Sequence, residues 1–144
     1  MKVSTRGDYG VRALVELAHH YGEGPLQSSE IAARQGIPEA YLDQLLMMLR
    51  RAELVRSIRG PQGGHMLARE PRELRLSEVL LALEGNLSPI DCLGEDSPCT
   101  RSGGCPQRYV WEEVREATVQ VLERTTIGDI AARERKPDVS RYYI

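Results

Sequence analysis

Residues 28 to 68, "SSEIAARQGIPEAYLDQLLMMLRRAELVRSIRGPQGGHMLA", constrain the fold more tightly than any other stretch of this 144-residue chain. "SSEIAARQG" reads as a short helix, with Ser28 or Ser29 at its N-cap and Gly36 just past its end. Pro38 suits the first turn of a second helix, whose Tyr41, Leu42, Leu45, Leu46 and Leu49 make one continuous apolar face. Two helices joined through a glycine turn form a helix-turn-helix. Next come "LVRSI" (54–58), rich in strand formers, "RGPQGG" (59–64), dense in turn formers, and "HMLA" (65–68). That pattern is a β-hairpin directly after the second helix, and it predicts a winged helix-turn-helix in a mainly α fold.

The flanking segments complete the plan. "TRGDYGVRALVELAHHY" (5–21) places Gly10, Leu14, Leu17, Ala18 and Tyr21 on one helical stripe, with Ser4 as N-cap, and "GEGP" (22–25) ends it. "LSEVLLALEG" (76–85) is a short amphipathic helix with Ser77 as its expected cap. "QRYVWEEVREATVQVLERTT" (107–126) is a five-turn helix with Val110, Trp111, Val114, Ala117, Val121 and Leu122 on one side. A long one-sided stripe, remote in sequence from the first core, needs a partner surface, and a second copy of the chain is the preferred one. "IGDIAARER" adds a short last helix. The expected organisation is a DNA-binding domain over 1–85, a cysteine-rich loop over 86–106, a dimerisation helix with the short terminal helix over 107–134, and a tail over 135–144.

Composition excludes more than it assigns. Apolar runs such as "LLMML" and "VLLAL" are too short to cross a membrane, and "MKVSTRGDYG" has no signal-peptide core, so a cytoplasmic location is expected. Phenylalanine is absent, which leaves Leu, Val, Ile and Ala to build the core, with Tyr and the single Trp111. Net charge is −2, yet Arg50, Arg51, Arg56, Arg59 and Arg69 face one acid, Glu53, across the second helix and the wing. A basic patch at that place points to double-stranded DNA. No paired acid–base residues or nucleotide-binding glycine motif occur, and an enzyme is not expected.

All three cysteines lie in "DCLGEDSPCTRSGGCPQ" (91–107), spaced C-x6-C-x5-C. Gly94, Gly103 and Gly104 permit tight folding, and Pro98 and Pro106 flank two of the sulfurs. Three thiols cannot complete a disulfide framework. Soft thiolates in a reducing compartment suit zinc or an iron–sulfur cluster; zinc prefers closer pairs, and a loop of unliganded thiols is the plain alternative.

The chain also resembles, nearly end to end, the bacterial regulator family that includes the iron–sulfur cluster assembly regulator, the nitric-oxide-sensing repressor and the cysteine-metabolism repressor. The resemblance rests on "MKVSTRGDYGVRALVELA", "IPEAYLDQLLMMLRRAELV", "SIRGPQGGHMLAR", the cysteine loop and "VWEEVREATVQVLERTTIGDI". It implies a homodimeric transcriptional regulator that binds a palindromic operator, with a cluster held by Cys92, Cys99 and Cys105. Where some members place a histidine ligand three residues after the third cysteine, this chain has Arg108, which cannot ligate. Another branch uses a first-helix aspartate from the partner chain, and Asp8 matches it; a carboxylate in a helix's first turn is also favourable by itself. With Asp8 as ligand, 4Fe–4S is slightly favoured over 2Fe–2S. Carried over by position, Glu39, Ala40, Tyr41, Asp43 and Gln44 face the major groove, Arg50 and Arg51 lie near phosphates, and Arg59 at the wing tip is placed for the minor groove. The alternative implied by the same family is a cluster-free, zinc- or thiol-based repressor, for example of cysteine metabolism. A cluster carrier or scaffold is the reading from another class.

Overall fold

The computed structural model describes residues 2–93 and 104–133. The elements run α1 (Thr5–His19), α2 (Ser28–Gln35), α3 (Glu39–Arg51), β1 (Val55–Ile58), β2 (Gly64–Leu67), α4 (Leu76–Glu84), α5 (Arg108–Arg124) and α6 (Ile127–Arg133), with short 3-10 turns at Pro71–Glu73 and Asp91–Leu93. The strands pair antiparallel with Val55 opposite Leu67 and Ile58 opposite Gly64. This is the expected mainly α winged helix-turn-helix with a long helix towards its C-terminal end. No helix among the described residues is long and apolar enough to cross a membrane.

The core is aliphatic. Leu42, Leu45, Leu46 and Leu49 of α3 are all buried against Leu14 and Leu17 of α1, Ile31 of α2, Leu54, Val55 and Leu67 of the wing, and Val79 and Leu83 of α4. Each such leucine contributes roughly 1.5–3 kcal/mol of burial, so the inward face of α3 is what secures its outward one. Aromatic rings stay outside this centre. Tyr9 and Tyr41 meet edge to face at its rim, with centroids 5.9 Å apart, and Trp111 is half-buried on α5, donating from Nε1 to Gln107 at 3.0 Å.

Several helix ends differ from expectation, each for a long-range reason. Gln27, not Ser28 or Ser29, is the N-cap of α2, and its side chain makes no cap bond. Leu26 bonds His65 on β2 in both directions, at 2.9 and 2.7 Å, so the chain stays extended up to Gln27. Arg75, not Ser77, caps α4, because Leu76 donates to Thr125 at 2.8 Å and Arg75 pairs with Thr126 just before the helix starts. Pro38 sits one residue outside α3, and Tyr21 has left the α1 stripe, being 47% exposed beyond the C-cap His20. The Ser4 cap is as expected: its hydroxyl accepts from the Gly7 amide at 3.3 Å.

α1 and α4 approach through Gly7 and Gly10. A Cβ on Gly10 would lie 2.2 Å from Leu83 Cδ1, and one on Gly7 would meet the Glu84 carboxylate. Glu84 in turn accepts from the amide and hydroxyl of Ser4, at 3.0 and 2.6 Å. The short last helix α6 packs on α1 and on the Pro71–Glu73 turn, with Ile127 fully buried in the same core. α5 has no fully buried residue among its 17. Val110 and Val121 on its apolar stripe are 39% and 46% exposed.

Gly10→Val should therefore destabilise the domain by about 1–3 kcal/mol through overpacking. A lower urea midpoint with an unchanged slope would show it.

Candidate nucleic-acid interface and cysteine loop

α3 separates its residues cleanly. Glu39, Ala40, Asp43, Gln44, Arg50 and Arg51 are exposed on the face opposite the buried leucines, and Tyr41 is half-buried. Met47, which sequence reading passed over as part of an apolar run, is also outward and 45% exposed. Its signal was available: 47 follows 43 and 44 at helical spacing, whereas the buried set is 42, 45, 46 and 49.

α2 is locked to α1 by a buried carboxylate. Glu16, 8% exposed, accepts from Arg34 at 3.0 Å and from Gln35 at 2.8 Å. Burial pushes its pKa upward, but the two hydrogen bonds and the charge of Arg34, with a smaller contribution from His20, outweigh it and hold the carboxyl below its ordinary value. The helix-turn-helix is thus fixed by a charge pair as well as by leucines.

The wing depends on glycine at its tip. Gly60 has φ of +108°, a Cβ on Gly63 would stand 2.0 Å from the Ile58 carbonyl oxygen, and the Gly63 amide bonds the Gly60 carbonyl at 2.9 Å. This turn carries Arg59 exposed at the tip, on the hairpin that follows α3. Arg56, exposed on β1 opposite Met66, adds a cation that sequence reading counted in the cluster without giving it a role. At the α3–β1 turn Glu53 takes a left-handed conformation, φ +62°, where glycine is more usual.

His65 sits inside the hairpin, with Nδ1 2.9 Å from the Ser57 hydroxyl. Burial lowers its pKa below the ordinary value; Asp43 opposes that effect and Arg50 adds to it. The folded wing thus favours neutral imidazole.

The described thiols stand at the two ends of the cysteine loop. Cys92 is half-buried in the 3-10 turn that follows α4, and Cys105 is half-buried just before α5, its carbonyl accepting from the Arg108 amide at 3.3 Å. Cys99 and the 135–144 tail lie outside the described residues. Among the described residues no three His, Cys, Asp or Glu side chains converge as a metal site. Asp8 lies on α1 in a groove of about 510 Å³ shared with Val3, Val11, Leu76 and Leu80. Both its oxygens accept from Arg12, at 3.3 and 3.1 Å. Arg12 also reaches the Gln35 carbonyl at the end of α2, at 3.0 Å. Arg12 was missed by sequence reading, although its i,i+4 spacing from Asp8 was a usable signal. Arg108 pairs with Glu112 at 2.8 Å.

A protein-family model described as "Rrf2: Iron-dependent Transcriptional regulator" matches residues 3–133. The chain belongs to the Rrf2 family of transcriptional regulators. Rrf2 membership makes it a DNA-binding regulator. It is 39% identical over 132 residues to the HTH-type transcriptional regulator CymR of Bacillus subtilis, covering 92% of this chain and 91% of that one. The solved structure of CymR, the global cysteine regulator of B. subtilis, matches with a TM-score of 0.77 at 38% identity, over 94% of this Rrf2 chain and 99% of that one. The structure of T. potens IscR matches with a TM-score of 0.71 at 41% identity, over 99% and 97% of the two chains.

Because His65 is disfavoured as a cation in the fold, its contribution to stability is complete above about pH 6.5 and is lost as pH falls from there through the lowered folded value. Thermal unfolding between pH 7.5 and 5 should show a smaller acid-side drop for His65→Gln than for the wild type.

Proposed function

We propose that this Rrf2 protein is a homodimeric regulator whose operator binding is governed by an iron–sulfur cluster held by Cys92, Cys99 and Cys105, with Asp8 of the partner chain as fourth ligand and 4Fe–4S favoured over 2Fe–2S. The observation that carries the reading is the placement of the described thiols. Cys92 is half-buried in the Asp91–Leu93 turn and Cys105 is half-buried just before α5, so both are held near folded elements, while Asp8 is exposed on α1, where the loop of a second copy can reach it.

The donor set fits such a group chemically. Thiolates suit iron, and a carboxylate supplies a harder, more exchangeable ligand. When bound, the cluster would supply an iron centre reactive towards electrons, oxygen or nitric oxide. Everything else is done by the chain. Asp8 is 54% exposed and Arg12 42%, and an exposed ion pair of this kind holds by no more than about 1 kcal/mol. The carboxylate is therefore available to a stronger partner. Ser4 and Glu84 tie the start of α1 to the end of α4, so in each chain the helix that offers Asp8 to the partner's loop is fixed to the helix that precedes its own loop. Arg12 connects that helix to the end of α2, within the DNA-reading module.

The exposed stripe of α5 suits a symmetric pairing, and paired recognition helices suit a palindrome with half-sites about one helical turn apart. Gln44 offers its amide to adenine, Asp43 an acceptor to a cytosine amino group, Glu39, Ala40 and Tyr41 line the start of the reading face, and Arg59 enters the minor groove. Arg50 and Arg51 supply phosphate contacts without sequence information.

A second reading, a cluster-free or zinc- or thiol-based repressor of cysteine metabolism, draws support from the similarity to CymR, the global cysteine regulator of B. subtilis. Anaerobic reconstitution with iron, sulfide and reductant separates the two. A coloured protein with stoichiometric iron and sulfide is expected, and a colourless, iron-free one would favour the second reading. Asp8→Ala should load poorly or lose its cluster quickly; indistinguishable loading and lifetime would remove Asp8 from the ligand set. In salt titrations of operator binding, Arg50→Ala and Arg51→Ala should each weaken affinity alike for all sequences and reduce the slope of log K against log salt by about one. Arg59→Ala should lose affinity mainly at A·T-rich flanks.

A further inference from the structure

We infer that Met47 is a specificity-determining residue that contacts the C5-methyl group of a thymine in the major groove. The inference rests on the DNA-reading role proposed for α3. Met47 is 45% exposed, and it is the one large aliphatic side chain presented outward by a helix whose four leucines are all buried. Residues seven apart on a helix differ by only ~20° in direction, so Met47 lies almost directly in line with Ala40, roughly 10 Å further along the axis. Asp43 and Gln44 flank that line one turn earlier, and Arg50 and Arg51 one turn later; all four are exposed. Met47 thus occupies the middle of the outward face, between side chains with base-pairing chemistry and side chains with phosphate-binding chemistry.

The chemistry of the major-groove edge selects its partner. Base edges there offer acceptors, amino donors and a single apolar feature, the thymine methyl. A thioether side chain without a strong donor or acceptor cannot discriminate among the polar edges, and placed against them it would desolvate groups without replacing their hydrogen bonds. Against a methyl it removes apolar surface from water on both sides. Its unbranched, adaptable chain lets it follow the position of that methyl in the groove.

The test uses the full chain under anaerobic conditions. Duplexes are selected from a randomised library, and each thymine of the enriched site is then replaced by uracil, which removes only the methyl group. At one symmetry-related pair of thymines, wild-type affinity should fall about three- to tenfold per half-site. That sensitivity should vanish in Met47→Ala and Met47→Gln and persist in Met47→Leu. Circular dichroism of each variant verifies that the exposed substitution leaves the fold intact. If no thymine methyl matters to the wild type, or if the same methyl matters equally to Met47→Ala, the assignment is overturned while DNA reading by α3 stands. If no sequence is enriched at all, the DNA-reading role itself fails.

Discussion

Gly7 and Gly10 bring α1 against α4 at a separation that no side chain could share, with Leu83 filling the space over Gly10 and Glu84 that over Gly7. The rest of the molecule is arranged around this contact. α1 also packs on α2, α3 and α6, so its position relative to α4 sets where α3, α6 and the entry to the cysteine loop lie. The glycines give up helix propensity, roughly 1 kcal/mol each. The return is leucine packing and the Ser4–Glu84 hydrogen bonds, which join residues 80 positions apart at the two ends of the domain.

Charge is used in two different ways. Glu16 is buried, doubly hydrogen-bonded and structural; it fixes the first helix of the helix-turn-helix to α1. The wing and α3 arginines are exposed on the outside, as the phosphate contacts proposed for them require. Asp8 and Arg12 stand between these cases. Their pair is exposed and weakly held, yet Arg12 touches both the ion pair and the end of α2. An ion pair so held suits the exchange of partners that the ligand role proposed for Asp8 requires.

α5 and α6 are neighbours in the chain, and the fold packs them differently. α6 belongs to the domain: Ile127 is fully buried, and Asp129 and Thr126 bond one another's amides, each at 3.0 Å, across its first turn. α5 packs on α4 but buries no residue fully, and Val110 and Val121 of its apolar stripe stay open to water. A helix in that condition is stabilised by whatever covers the stripe, and the symmetric pairing proposed for α5 would cover it.

Local chemistry in the sequence by itself determined the helix-turn-helix, the wing and the apolar faces of α1, α3, α4 and α5. A 3.6-residue apolar period, a Ser4 cap, a left-handed Gly36 and the glycines at 60 and 63 each act within a few residues, so each leaves a readable mark. The outward residues of α3 were legible for the same reason: once the leucines choose the core, the opposite face follows. Tertiary structure alone decided the caps at Gln27 and Arg75, the return of α6 to α1, the Glu16–Arg34–Gln35 network and the attachment of Ser4 to Glu84. These depend on bonds between distant segments. A hydrogen bond or ion pair across that distance imposes no periodicity on either partner, and only the folded chain brings the two ends into reach.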